Sequence, residues 1–247
     1  NAFSKERSGT GLNKLSYQKV VPDKGYPFHT YMMYGINSEG LSTSGATLNE
    51  DAATLRRGTD LAREWKSAGK PLLPHSVAMW MVLAMCRTVD EALALIDNKD
   101  APFEFTGNMM LLDRAGNAAR VESAGIMHQI FRPKKDESGF FVAGNYPHQR
   151  PDGLFGIGEN WGWAANTMLR ERALSSAAGD RRERISLSDV FSLMQTHGPG
   201  GMCQHIHDNA ALLYSSCSYI AITRTSDLWL SSGPPCQVRY VRYRLQD

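Results

Sequence analysis

The chain has 247 residues, of which 42% are apolar, 21% charged and 9% aromatic, and 27 Lys and Arg against 25 Asp and Glu leave a net charge of +2. A chain of this length and make-up buries roughly 70–75% of its unfolded surface without a disulfide or metal staple, which excludes disordered and collagen-like classes. The mixed charge offers no basic face to nucleic acid, and no run of about 18 apolar residues is present to span a bilayer.

No repeat, low-complexity run or Pro/Gly/Ser linker divides the chain, so residues 1–247 read as a single domain. The polar, Gly-rich start, 1–16, reads as loop. Short β-branched and aromatic runs at 17–21 and 28–34 predict strands, and Asn37-Ser38-Glu39-Gly40 predicts a turn. The small, Ser/Thr-rich stretch 41–47 alternates as a strand does in a tightly packed layer. Leu55, Leu61, Ala62 and Trp65 trace the apolar stripe of a helix that Gly69 ends. Residues 75–87 are almost wholly apolar, which predicts a helix buried on more than one face. Thr88-Val89-Asp90-Glu91 has the form of a capping box and opens a third helix running to about Asn98.

Beyond Pro102 the pattern changes to strands. Residues 109–112 and 118–122 flank the Gly-containing loop 113–117 as a hairpin, and 126–131 and 140–143 continue the sheet across the charged turn 133–138. Residues 166–178 read as a helix closed by Gly179. Ser188 reads as the cap of another helix over 189–197, ended by Gly198-Pro199-Gly200-Gly201. Strands near 213–223, 228–231 and 237–245 close the chain. Strand and helix blocks segregated in this way predict an α+β layered fold rather than alternating βαβ units.

The chemistry-bearing motifs are sparse. Cys86, Cys203, Cys217 and Cys236 are too few for a disulfide scaffold and none forms a C-x-x-C pair, which removes zinc-ribbon and thioredoxin readings. His205-Ile206-His207, beside Asp208 and Cys203, lacks a second cluster at ligand spacing and reads as structural or surface histidines rather than a metal site. Gly156-Ile157-Gly158 reads as a turn, the Arg181–Arg184 run as a solvated loop, and no G-x-S-x-G elbow is present. The start, Asn1-Ala2-Phe3-Ser4, has neither an initiator Met nor a signal-peptide core, which points to a processed or incomplete N-terminus.

An ordered set of segments is more informative. Tyr34-Gly35-Ile36-Asn37-Ser38-Glu39-Gly40-Leu41 leads to Gly45-Ala46-Thr47, then to the Thr88 cap and to Met110-Leu111-Leu112-Asp113-Arg114-Ala115-Gly116-Asn117 with Val121-Glu122. Gly144-Asn145-Tyr146-Pro147-His148, a helix with Arg170-Glu171-Arg172, Met202-Cys203-Gln204-His205, Ser215-Ser216 and Ser232-Gly233-Pro234-Pro235-Cys236 follow. In order and spacing, from about residue 27 onward, this resembles the acyl-CoA:6-aminopenicillanic acid acyltransferase-like branch of the N-terminal-nucleophile hydrolases, relatives of the choloylglycine hydrolases.

The resemblance implies a four-layer αββα sandwich of two antiparallel sheets. It also implies hydrolysis or acyl transfer at linear amide C–N bonds by an N-terminal cysteine that autoproteolysis exposes. An α-amino group with a pKa near 8 is a suitable base for its own thiol, and the oxyanion that forms needs fixed donors. By the same resemblance, Asn145 matches the asparagine that donates its side-chain amide to the oxyanion, and Arg170 matches a helical arginine beside the nucleophile. Thr47 falls where the choloylglycine relatives carry another site asparagine, leaving its backbone N–H to serve. Thr47, Tyr146 and His148 are the expected substrate-binding residues. No cysteine precedes Cys86, so the nucleophile is expected in sequence not present in this chain, including a short cleaved N-terminal chain as a partner. The alternative is an inactive sandwich kept for binding or structure; a metal-dependent hydrolase using His205 and His207 stands third. The expected partners are a small amide or acyl substrate and further copies of the chain in a homo-oligomer, with no nucleic acid, membrane, cofactor or metal.

Overall fold

The computed structural model describes residues 2–5, 15–18, 34–48, 51–133, 141–147, 161–179, 185–205 and 215–245. Its largest element is a seven-stranded antiparallel sheet in the order β1 (Ala2–Lys5), β2 (Leu15–Gln18), β3 (Tyr34–Asn37), β4 (Ser42–Ala46), β7 (Gly107–Leu112), β8 (Ala118–Ala124) and β9 (Met127–Phe131). A three-stranded antiparallel sheet joins β10 (Ser218–Ile222), β11 (Asp227–Ser231) and β12 (Val241–Arg244). The short strands β5 (Leu73–Pro74) and β6 (Phe103–Glu104) pair in parallel. The helices are α1 (Ala52–Ser67), α2 (His75–Met85), α3 (Val89–Ile96), α4 (Trp161–Gly179) and α5 (Leu187–Met194).

The period of two in the strands divides the large sheet into two buried faces. Met109, Leu111, Ala119 and Val121 point to α2 and α3 and bury themselves with Val82, Leu83, Val89, Ile96 and Phe103. Each of the larger side chains contributes about 1.5–3 kcal/mol of apolar burial. Asn37 joins this face to α2: its Nδ2 donates to the carbonyls of Leu83 and Cys86 at 2.9 and 2.8 Å, and its Oδ1 accepts from Leu41 N–H at 2.9 Å. The buried amide thus satisfies carbonyls at the end of α2 and closes the β3–β4 turn, where Gly40 takes φ 82°.

The other face meets the small sheet. Tyr34 stacks on Tyr219 with ring centroids 4.0 Å apart, and Tyr219 Oη donates to the Thr43 carbonyl at 3.2 Å. Leu228 and Leu230 of β11 are buried, while Trp229 between them points away from that side and packs edge-on against Phe191 of α5 at 5.4 Å. Helices, sheet, sheet and helix therefore stack as an αββα sandwich. Among the described residues no helix is long and apolar enough to cross a membrane.

Several elements differ from the sequence expectation for identifiable reasons. Helix α1 buries Thr54, Gly58 and Ala62, and leaves Leu55 and Leu61 each 40% exposed. Gly58 lies so near the β8–β9 turn that a Cβ there would stand 2.1 Å from the Ala124 carbonyl oxygen, so the buried stripe is made of small residues. Helix α2 buries Ala78, Met79, Val82, Leu83 and Ala84 but exposes Trp80 and Met85, so it is covered on one side rather than all round. Thr88 caps α3 through Glu91 N–H, but the Glu91 carboxylate bonds the Arg87 N–H at 2.7 Å, one residue before the cap, instead of completing the box. The full capping box belongs to α5 and uses Ser186 with Asp189, not Ser188. The expected strand at 140–143 is not formed over 141–143, which is irregular backbone. The expected strand at 28–34 and turn at 133–138 lie almost wholly outside the described residues.

Two measurements test this packing. Alanine is a better helix former than glycine by roughly 0.5–1 kcal/mol, yet Gly58→Ala is expected to lower stability by about 1–3 kcal/mol, because the added methyl meets backbone rather than a movable side chain. Urea denaturation of the variant reads the sign directly. On β9, burial pushes the His128 pKa down from 6.5 to about 4, while its Nδ1 shares a 2.7 Å hydrogen bond with Ser123. Between those pH values the unfolded chain binds the extra proton, so stability is full above 6.5 and falls as the pH drops to about 4. Thermal melts of His128→Gln should lose that portion of the slope.

Candidate active site at the sheet end

Charged and amide side chains line the inner face of β7 and β8, where a sheet covered on both sides would ordinarily be apolar. Arg120 and Glu122, two residues apart on one strand and so on one face, form an ion pair at 2.5 Å with side chains 2% and 0% exposed. Gln129, opposite Glu122 on β9, donates to its carboxylate. Desolvating two charges is costly, and the pair is tolerable only because each charge has its counter-charge and further hydrogen bonds. Those further bonds reach the loop 144–147. Arg120 Nη2 donates to the Tyr146 carbonyl at 2.6 Å and Asn108 Nδ2 to the Gly144 carbonyl at 2.5 Å.

From above, α4 closes on the same loop. A Cβ on Gly144 would stand 2.7 Å from Thr167 Cγ2 and 2.9 Å from Glu171 Oε2, so glycine here leaves the α4 side chains their room. Arg170 Nε donates to Asn166 Oδ1 at 3.1 Å, and its Nη2 donates to Thr167 Oγ1 at 2.9 Å and Asn145 Oδ1 at 3.2 Å. Burial pulls this guanidinium below its ordinary pKa, and the partners it shows among the described residues are neutral oxygens. It remains a cation, so its charge is left to favour an anion nearby.

Asn145 is held from both ends. Its Oδ1 accepts from Arg170, which sets the amide orientation, and its Nδ2 donates to the Thr47 carbonyl at 2.9 Å. One N–H of that amide remains for another acceptor among the described residues. Tyr146 bonds Glu171, and burial first, then that bond, raises its phenol pKa well above the ordinary value.

The register shows which end of the sheet this is. Phe3 pairs Tyr17, Tyr17 pairs Gly35, and Gly35 pairs Thr43, so β1 lies three strands from β4 and antiparallel to it. Followed backward, β1 runs toward the end of the sheet where β4 delivers Thr47, at a lateral distance of roughly 14 Å.

The sequence matches no family model and no curated protein. Solved structures do match in fold. A mutant of conjugated bile acid hydrolase from Clostridium perfringens superposes with TM-score 0.52 at 11% identity over 95% of this chain and 82% of that one. A second variant of that hydrolase gives TM-score 0.50 at 12% identity over 95% and 82%. Penicillin V acylase from Agrobacterium tumefaciens gives 0.56 at 15% identity, over 94% of this chain and 71% of that one. The fold is that of the N-terminal-nucleophile hydrolases.

Within this N-terminal-nucleophile fold, three of the residues singled out from sequence meet: Asn145, Thr47 and Arg170. Tyr146 adjoins them but turns its hydroxyl to Glu171, and His148 lies outside the described residues. Asn145 sits in a loop pinned from below, not at the end of a strand as expected. Sequence reading missed Asn108, Arg120 and Glu122, the supports of that loop. The signal available was a pair of opposite charges two apart within a strand whose alternate residues are Ala119 and Val121.

The cysteines stand apart from this site. Desolvation, with the Glu91 charge second, pushes the buried Cys86 thiol up to about 11. Cys217 shares a 2.9 Å hydrogen bond with Tyr34, whose phenol burial holds far above its ordinary pKa and so unfit as a base. Cys203 and Cys236 lie together, with sulfur atoms 3.4 Å apart.

Glu122→Gln is expected to cost about 3–5 kcal/mol of unfolding free energy in urea at neutral pH, because it strands the Arg120 charge. Replacing both, as Arg120→Met with Glu122→Leu, should cost much less. The opposite ranking would show that the pair is not what holds this face.

Proposed function

We propose that this chain cleaves a linear amide C–N bond, or passes its acyl group to an amine, through an N-terminal cysteine carried by sequence upstream of Asn1. The observation that carries the reading is the Asn145 amide, locked between Arg170 and the Thr47 carbonyl at the sheet end of an N-terminal-nucleophile fold. The structural neighbours include a penicillin V acylase and a conjugated bile acid hydrolase, which supports the reaction class. The state of the present cysteines also favours an external nucleophile. Cys86 is held protonated by burial, and Cys217 faces a phenol that cannot take its proton.

In this mechanism the α-amino group of the terminal cysteine, with a pKa near 8, takes the thiol proton as the thiolate attacks the acyl carbon. The carbonyl oxygen becomes an oxyanion and accepts the free Nδ2–H of Asn145 and the backbone N–H of Thr47. The α-ammonium returns its proton to the departing amine, leaving a thioester, which water or an acceptor amine then resolves. Arg170 positions the Asn145 amide and lends its positive charge to the developing anion; Thr47 and Tyr146 adjoin it, and they and His148 are the residues proposed to bind substrate. Because Arg170 holds Oδ1, the donor is oriented before substrate arrives, so no reorganisation is spent in the transition state.

Asn145→Ala in the full-length protein is expected to lower amide turnover roughly a hundredfold or more, with unchanged urea stability. Acyl-amide hydrolysis by the two proteins, followed by mass spectrometry for a cysteine-linked acyl intermediate, checks this. Equal rates would remove Asn145 from the mechanism. An intact native mass equal to these 247 residues, without turnover, would leave a binding protein on a hydrolase fold.

A further inference from the structure

Away from the Asn145 loop, a second cluster is built from three turns. His197 follows the end of α5. The chain then doubles back through Gly198 and Gly200, both at positive φ, so that Cys203 N–H donates to the Thr196 carbonyl at 2.9 Å. The reversal is tight: a Cβ on Gly201 would lie 2.5 Å from the His197 carbonyl carbon. It delivers Cys203 and, two residues on, His205. Cys236 arrives from the turn after β11, where the N–H groups of Gln237 and Val238 both donate to the Pro234 carbonyl.

The ligand-type atoms of these four residues all lie within 4.8 Å of one another. The two Nε2 atoms of His197 and His205 are 3.2 Å apart, and the two sulfur atoms 3.4 Å. His205 Nε2 stands 3.3 Å from Cys236 Sγ and 3.6 Å from Cys203 Sγ. A tetrahedron drawn around zinc with bonds of about 2.3 Å to sulfur and 2.0–2.1 Å to nitrogen has edges of roughly 3.3–3.8 Å. These four separations fall on or close to those edges, and the two from His197 to the sulfur atoms are within 4.8 Å. Hydrogen bonding does not account for them: His205 Nε2 has three neighbours in range, but a ring nitrogen has one proton or one lone pair to offer. Four ligand-type atoms this close together are what a cation requires.

We propose that His197, Cys203, His205 and Cys236 form a four-coordinate site for a structural metal ion, zinc in the first instance. Two thiolates and two neutral imidazoles are a complete tetrahedral set with no open position, so the site staples and does not catalyse. Two thiolates neutralise the divalent charge, and loading releases two protons. A cavity of about 340 Å³ whose wall includes Gln195, Cys236 and Tyr240 adjoins the cluster and gives an ion an approach. The staple would tie the end of α5 to the β11–β12 connection, and through Gly200, which abuts the Leu169 carbonyl, to α4. Sequence reading set the histidines aside because His205-Ile206-His207 lacks a second cluster at ligand spacing; the fold brings His197 and Cys236 to His205, while His207 lies outside the described residues.

The test uses the native protein expressed in zinc-supplemented medium under reducing conditions. Elemental analysis should find about one zinc per chain. Exchange for cobalt should give the thiolate charge-transfer band and the intense visible bands of a tetrahedral S2N2 site. Chelation should lower the melting temperature and open Cys203 and Cys236 to iodoacetamide, which the loaded protein resists. His197→Gln, at an exposed ligand, should fold but lose the metal; Ser232→Ala, exposed and outside the cluster, should keep it. A metal-free protein that takes up no zinc, or a native mass lighter by two hydrogens with Cys203 and Cys236 joined as a disulfide, overturns the proposal.

Discussion

The inner face of the large sheet carries an ion pair that water cannot reach, and much of the surrounding architecture follows from keeping it satisfied. Arg120 and Glu122 neutralise one another, Gln129 donates to the carboxylate, and the Tyr146 carbonyl accepts from the guanidinium. A buried charge left unpaired costs several kcal/mol, so the loop 144–147 is not free to leave. Asn108 repeats the arrangement one strand away on Gly144. An irregular segment therefore acquires the precision of a strand without being one.

That precision matters because of what the loop presents. Asn145 points its carbonyl oxygen at Arg170 and its amide nitrogen at Thr47, so two partners from distant elements define a single rotamer. The supports come from three sides: β7 and β8 beneath and the end of β4 beside, all from the large sheet, and α4 above. The opposite face of the sheet contributes rigidity, since α2 and α3 cover it with fully buried aliphatic side chains and Asn37 locks α2 to the β3–β4 turn. Polar order on one face rests on apolar packing on the other.

The sequence exposed more of the site than of its scaffold. The order of short motifs led to Asn145, Thr47 and Arg170, which the structure brings into contact. It could not show that Arg120 and Glu122 are buried, because a charged pair on a strand reads equally well as a solvated face. Helix α1 misled for a related reason. Its large apolar residues marked an expected core stripe, yet contact between the backbones of Gly58 and Ala124 admits only small residues at the interface. Element type was legible in both cases; which face packs was not.

Local chemistry decided the elements: alternation made β7 and β8 strands, Thr88 and Asp51 capped helices, and Gly40 and Gly116 turned the chain at positive φ. These depend on a few neighbouring residues, so they are written in the sequence itself. The tertiary structure alone decided which groups share a point in space. Cys236 lies 31 residues beyond His205 and reaches it only because β11 and the turn at Pro234 carry it back. Likewise Arg114 bonds Ser226 across 112 residues. No short-range pattern encodes such meetings, because they arise from the summed packing of every layer, and the chemistry of a site is set by distances of a few ångströms between atoms that the chain holds far apart.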